Sequence, residues 1–449
     1  MGGNEMTLNQ TSDQFPDSAA FAALAAPSWK AFSFETGDFL LHVPSAHVLE
    51  VPRSYALHVR GEAPAAEIQA ELDELALSLP LPPAREIKAD ITSVSLNMAQ
   101  GCNLRCTYCF AGEGDYGKKA MMSAATAVRA LELLARGKDR FQVLFFGGEP
   151  MLNFAVIEQV VAWCETQTTR FTYSMTTNGT LLTGEKLAWL REKGFAITLS
   201  YDGKGLQAKQ RLTKDRIHSS EALVERKLEA FKEQLGKLRD FRLRATITKA
   251  NLALLEEAIV TTLTARNFRT VVAHQATPLR ALAFGAADIE RLAEIFRSVV
   301  DRLLAAGDLE RVLKLENIGA AVRMIHQGRT HELACGAGVS YLTVSAEGAF
   351  YLCHRFNEDD SERFGDVEHG PDRERLDEVA LFRARRAGPC GTCWMREWCA
   401  GGCFHEHKSA TGDKFRLDPL YCKLQSLELE QAMRVYTIIC KQAPQLLEA

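Results

Sequence analysis

The sequence predicts an α/β fold: a parallel sheet with helices packed outside, a small α+β segment before it and a loop-rich, cysteine-bearing module after it. Three observations carry this. From Ser93 to the helix that begins after Ala286, short β-branched or aromatic runs alternate with amphipathic helical patterns. The alternation gives six βα units, which implies parallel strands joined by helical crossovers. Six units fall short of the eight that close a complete barrel. The third observation is the cysteines, which gather at 102–109 and again at 335–422 instead of being scattered.

Taken in order, residues 1–28 read as a loosely ordered lead-in, Gly-, Ser-, Asn- and Asp-containing and then Ala-rich. Residues 29–90 read as a small α+β domain. Phe32–Phe34, Phe39–Val43 and His47–Val51 are short strands with turns at Glu35–Asp38 and Pro44–Ser45, and Ala65–Leu79 is an amphipathic helix. Residues 91–308 hold the six units. Their strands are expected at Ser93–Met98, Gln142–Phe146, Phe171–Thr176, Ala196–Ser200, Leu243–Thr248 and Thr270–His274; their helices begin after Ser123, Asn153, Thr183, Ser220, Asn251 and Ala286. The segment Ser123–Gly137 shows the reasoning: Ser123 is an N-cap, Val128, Leu131 and Leu134 recur at helical spacing, and Gly137 ends the helix. Residues 309–334 are read as a linker helix and 335–449 as the cysteine module.

A chain of 449 residues exceeds what one core usually supports. Its 47% hydrophobic and 24% charged residues are ordinary for a globular protein. A net charge of −4 gives no general pull toward nucleic acid or an anionic membrane surface, and no stretch approaches the ~18 apolar residues of a spanning helix. Met1–Pro27 contains acidic residues and no basic start, unlike a signal peptide. Twelve cysteines in such a chain point to metal ligation in a reducing cytoplasm, not to disulfides.

Cys102, Cys106 and Cys109 form a CxxxCxxC triplet, with Gly101 before the first and Tyr108 before the last. Three thiolates can hold three irons of a [4Fe–4S] cube and leave the fourth iron open to a small molecule. Zinc is the alternative, but zinc sites favour paired CxxC units, and no second pair lies near. The triplet resembles that of the radical S-adenosylmethionine (SAM) family. The resemblance implies a partial (β/α)6 barrel, a cluster in the loop after the first strand and SAM chelated by the open iron.

The same resemblance extends to later loops. Gly147-Gly148-Glu149-Pro150 is similar to the family's GGEP element, which contacts the SAM amino group; read alone, it would be a turn. Ser200-Tyr-Asp-Gly203 resembles the family's strand end near the ribose, whereas Thr177-Asn178-Gly179 reads equally as a tight turn. Tyr108, Gly147, Gly148, Glu149 and Ser200 are thus implied SAM contacts. Arg211 and Arg244 are candidates for its carboxylate, because guanidinium forks match carboxylates; a solvated surface role is the alternative for each.

In the C-terminal third, Cys335, Gly348 and Cys353 are spaced C-x12-G-x4-C, followed by Cys390, Cys393, Cys399 and Cys403 as C-x2-C-x5-C-x3-C and then Cys422. Zinc knuckles are the plain reading of the CxxC pair. The whole pattern resembles the SPASM extension of radical SAM enzymes, which holds two auxiliary clusters, making three [4Fe–4S] clusters in all. The resemblance implies that Cys390, Cys393, Cys399 and Cys422 hold the outer cluster and Cys335, Cys353 and Cys403 the inner one. Some relatives supply a further Cys about six residues upstream, where this chain has Arg329, so the inner set is one thiolate short. His331 is a candidate to fill it; the alternative is an iron left open for a substrate thiol. Cys164 and Cys440 sit in helical patterns and read as buried thiols.

The run Gly348–Phe356 followed by Phe364–Val367 resembles enzymes that form thioether cross-links in peptides, such as cysteine-rich peptide maturases and the maturase of quinohemoprotein amine dehydrogenase. Such enzymes often start with a small domain that grips a leader peptide by strand addition, the role implied for residues 29–90. The expected partners are a Cys-containing peptide or protein and a reductant such as flavodoxin or ferredoxin. Other SPASM chemistry (carbon–carbon cross-linking, epimerisation, formylglycine formation) is the alternative, and a non-catalytic iron–sulfur electron carrier is a third. No catalytic acid or base is identified.

Overall fold

The computed structural model describes residues 28–82, 86–266, 268–274, 282–331, 333–385 and 388–448; most of the expected lead-in lies outside them. Six strands alternate with helices as the periodicity requires: β4 (Ser93–Gln100), β5 (Arg140–Gly147), β6 (Arg170–Thr177), β7 (Ala196–Ser200), β8 (Asp240–Ile247) and β9 (Arg269–His274). They follow β1 (Trp29–Phe34), β2 (Gly37–His42) and β3 (His47–Val51), an antiparallel meander in which each strand pairs with the next. Each of β4–β9 is parallel to its chain neighbour, giving the partial (β/α)6 barrel.

Alternation along the strands explains the two faces. Phe141, Val143 and Phe145 of β5, Tyr173 and Met175 of β6 and Leu243, Ala245 and Ile247 of β8 are buried in the main core. The residues between them, including Ser174, Thr176, Thr198, Ser200, Arg242 and Arg244, are half-buried on the other face. That inner face is polar, which suits a lumen rather than a second hydrophobic layer. Its lower end, where β8 and β9 begin, is closed by ion pairs: Arg269 meets Asp240 at 3.2 Å and Glu316 at 2.8 Å, and Arg323 meets Glu316 at 2.8 Å.

The sheet does not stop at β4. Strand β10 (Tyr341–Val344) adds parallel to it, Tyr341 opposite Ser93, and β11 (Ala349–Tyr351) and β12 (Arg363–Asp366) continue antiparallel. The cysteine module is therefore continuous with the barrel sheet. At the other end of the chain, the β1–β2 hairpin lies on the helix Pro419–Gln442: Glu35 pairs with Arg434 at 2.6 Å, the Thr36 and Thr437 hydroxyls meet at 2.7 Å, and Phe32 packs edge-on to Trp394 at 5.3 Å. The Ser123-capped helix forms as expected, the Ser123 hydroxyl accepting from the Thr126 N–H, although Ala127 and Ala130 join Leu131 and Leu134 in the core while Val128 is half-buried. The helix Arg53–Val59 was not anticipated. Among the described residues no helix is long and apolar enough to cross a membrane.

Candidate active site

The upper ends of β5–β8 and the loop after β4 enclose a cleft of about 120 Å³. Cys102, Cys106 and Cys109 line it, with Tyr108, Gly147, Gly148, Ser200, Arg211 and Arg244. The cysteine loop is held from both sides. Leu104–Cys106 pairs antiparallel with Arg211–Thr213, Cys106 opposite Arg211. On the other side Gly148 is wedged beneath it: a Cβ there would lie 2.2 Å from the Gly114 carbonyl oxygen and 2.3 Å from that of Gly101. Gly114, at φ +86°, packs against Cys102 so closely that a Cβ would come within 2.5 Å of the Cys102 Cβ. Only glycine fits at either position.

All twelve cysteines are free thiols. Burial, reinforced for Cys102 by the Glu149 carboxylate, pushes Cys102 and Cys106 up to about 12, so binding a metal would have to remove their protons. The backbone is arranged for the thiolate form. The Leu104 N–H donates to the Cys102 sulfur at 3.3 Å, and the N–H groups of Ala111 and Gly114 donate to Cys109. The Asn178 amide, from the turn after β6, reaches the same Cys102 sulfur at 3.7 Å. Donors aimed at sulfur are what an iron–sulfur ligand set uses to hold charge and tune potential, so these residues fit a cluster.

Asp202 organises the far wall. Its carboxylate, fully buried, accepts from Arg211 Nε at 3.0 Å and Nη2 at 3.1 Å, from the Tyr108 hydroxyl at 2.7 Å and from the Thr246 N–H at 2.9 Å. Burial works against the Arg211 charge, but Asp202 overcomes it and the guanidinium is held firmly protonated. Arg211 and Tyr108 line the cleft, yet their polar ends already serve Asp202. Arg244 differs: among the described residues no carboxylate is recorded against it, and burial together with Arg355 and Arg211 lowers it to about 10. It is the better candidate for a bound carboxylate.

Glu149 does not match its expected role. Its carboxylate is completely buried and accepts from the Met151 N–H at 3.0 Å, the Thr177 hydroxyl at 2.7 Å and the Asn178 N–H at 2.7 Å. It braces β5 to β6 rather than lining the cleft; the contribution of Gly147-Gly148 is backbone proximity.

Cys335, Cys353 and Cys403 lie within electrostatic reach of one another, and Cys399, Cys390 and Cys393 lie within that of Cys422. Among the described residues no three His, Cys, Asp or Glu side chains are gathered to share a single ion; a cube that gives each thiolate its own iron does not need that. His331, the candidate fourth ligand of the inner set, lies instead in a separate cleft with Trp398, Cys399 and Tyr421, beside an outer-set thiol. Cys164 is buried in the core as expected, whereas Cys440 is exposed on the last helix. Two residues missed in the sequence, His354 and Arg355, form the wall between the triplet cleft and the inner thiols. The His354 ring stacks 4.3 Å from Phe146, its Nδ1 shares a hydrogen bond of 2.9 Å with the Tyr341 hydroxyl, and burial with Arg244 and Arg355 nearby holds it neutral, at about 3.

Residues 96–241 match the model of the Radical SAM superfamily. That stretch is where the chain resembles the superfamily, and the cleft above coincides with its cysteine loop. The fold is shared with anSMEcpe with bound AdoMet (TM-score 0.63, 20% identity, 79% of this chain and 98% of that one). Among curated relatives, an uncharacterized protein of Methanocaldococcus jannaschii is 31% identical over 24% of this chain and 37% of its own length. The PqqA peptide cyclase of Rhodopseudomonas palustris is 26% identical over 75% of this chain and 87% of its own. The chain spans about a third of the length of the first curated relatives it matches.

Proposed function

We propose that this enzyme modifies a ribosomally made peptide or protein in a reducing cytoplasm, joining a Cys sulfur of the substrate to one of its carbons as a thioether. The observation that carries the reading is the inner thiol set: Cys335, Cys353 and Cys403 gather behind the His354–Arg355 wall of the triplet cleft, and the remaining cysteines lie with the triplet, with the outer set or in the helices at 164 and 440. Three thiolates leave room for a substrate sulfur. Support from known proteins is broader than the linkage: one long-matching relative is a peptide cyclase, and a fold neighbour has a structure with bound AdoMet and Cp18Cys peptide.

In this reading Cys102, Cys106 and Cys109 hold the SAM-binding cluster, Cys390, Cys393, Cys399 and Cys422 the outer auxiliary cluster, and the inner trio the third. When bound, the cluster and SAM supply a 5′-deoxyadenosyl radical after one electron from a flavodoxin or ferredoxin. The chain's own residues orient the reactants. Gly147 and Gly148 would admit SAM close to backbone, Ser200 and Tyr108 would flank it, Arg244 would take its carboxylate, and Phe110, Phe146 and His354 would keep water from the gap. The β1–β3 meander, whose outer strand β3 pairs on one side only, offers an edge for a leader peptide.

Where a neighbouring gene encodes a short Cys-containing peptide, the test is anaerobic turnover with that peptide. A thioether removes two hydrogens from the peptide and protects the Cys from alkylation, with 5′-deoxyadenosine formed alongside. Loss of two hydrogens with a free thiol would replace the thioether by another cross-link; no 5′-deoxyadenosine at all would leave an electron carrier. Changing Cys102, Cys106 and Cys109 together to Ala should abolish SAM cleavage while roughly two-thirds of the iron remains.

A further inference from the structure

Arg355 and Glu406 stand in a relation to the inner thiols that packing alone does not require. The backbone N–H of Arg355 donates to the Cys353 sulfur, and the backbone N–H of Glu406 donates to the Cys403 sulfur. The two side chains then meet in an ion pair, only 12% and 11% exposed, that ties the two cysteine-bearing loops together. The guanidinium also lies over the Phe110 ring at 5.7 Å, next to Cys109, and lines the triplet cleft. One fixed positive charge therefore sits between the two cysteine sites, with the Glu406 carboxylate on the side of Cys403.

Arg244 adds a second cation on the same wall. The two guanidinium groups put positive charge into a largely buried gap. Charge of that sign stabilises whichever state of a neighbouring group is more negative, and in a water-poor site it acts strongly.

We propose that Arg355 raises the reduction potential of the inner auxiliary cluster and makes it the electron acceptor of the reaction, with Glu406 as the opposing charge that limits the rise. This rests on the cluster assignment made above. The step it serves balances as follows. After the deoxyadenosyl radical has taken a hydrogen atom from substrate carbon, that carbon radical bonds to the Cys sulfur. The thiol proton leaves to solvent, and one electron passes to the inner cluster, [4Fe–4S]²⁺ becoming [4Fe–4S]⁺. Arg355 favours the last transfer because the reduced cluster carries one more negative charge beside it.

The two partners of the ion pair give the test its discrimination. In the Cys102/Cys106/Cys109→Ala background, which leaves the auxiliary clusters alone, the midpoint potentials are read by dye-mediated titration with electron paramagnetic resonance. Arg355→Gln lowers the inner midpoint and Glu406→Gln raises it, while Arg355→Lys stays close to the parent and the outer midpoint serves as an unmoved reference. Breaking a merely structural ion pair would move both Gln variants in the same direction, or strip inner iron from both; either result overturns the proposal, as does no shift in either. If the background protein holds only one cluster's iron before any further change, the inner-cluster assignment itself fails and this proposal falls with it.

Discussion

Gly148 shows how much one missing atom decides. Its Cβ position is occupied by two carbonyl oxygens of the cysteine loop, and backbone cannot swing aside as a side-chain end can. Gly148→Ala is therefore expected to cost about 1–3 kcal/mol in urea unfolding and to displace the triplet enough to suppress SAM cleavage. Gly101 is the control: nothing lies within 4 Å of its Cβ position, so Gly101→Ala should stay within about 0.5 kcal/mol and keep cleavage. Asp202 is the other decisive residue. Asn in its place still accepts hydrogen bonds but leaves the buried Arg211 without a counter-charge. Asp202→Asn should cost about 3–5 kcal/mol, measured by denaturant unfolding. The sequence held the signal for this pair in Ser200–Gly203 and Arg211, but spacing alone did not reveal that the acid serves the arginine rather than a ligand.

At the scale of elements, the barrel strands were legible because β-branched runs and capped helices repeat with little ambiguity; Ala196–Ser200 is bounded as expected, β4, β5, β6 and β9 extend by a residue or two at an end, and β8 starts at Asp240 and ends at Ile247 instead of running Leu243–Thr248. The strands β10–β12 were not, since runs of three or four residues carry little periodic signal and β10 pairs with β4, far away in the chain. The position of Arg355 was equally hidden, because its meaning depends on Glu406 across a loop. Docking of the β1–β2 hairpin on the last helix yields a pH prediction. Arg434 hydrogen bonds hold the Glu35 carboxyl below its usual value. A carboxylate with a lowered folded pKa stabilises the fold above the unfolded value and loses that contribution as pH falls through the folded one. Glu35 is half exposed, so the gain is at most about 1 kcal/mol. Glu35→Gln should thus destabilise the chain slightly at pH 7, and the difference from the parent should begin to shrink near the unfolded value, about 4.3, and disappear once the pH is below the lowered folded value, in parallel melting curves.

For the whole molecule, the join between barrel and cysteine module is the governing feature. Strand β10 pairs along β4 from Tyr341–Ser93 to Val344–Leu96, and β4 leads directly into the triplet. Gln100, buried one residue before Gly101, accepts from the Ala346 N–H at 2.9 Å and donates to the Lys118 carbonyl and the Glu358 carboxylate. The module therefore sets the geometry of the Cys102–Cys109 loop as well as carrying its own thiols. Removing residues 335–449 would expose the β4 edge, whose Val94 and Leu96 are otherwise fully buried, and would strip the Ala346 donor and the Glu358 acceptor from Gln100. An uncovered hydrophobic edge is a template for pairing with another chain. The truncated chain is expected to elute as aggregate in size-exclusion chromatography and to lose SAM cleavage even with the triplet intact. A monodisperse, SAM-cleaving fragment would show instead that the barrel folds and works without the strand that extends it.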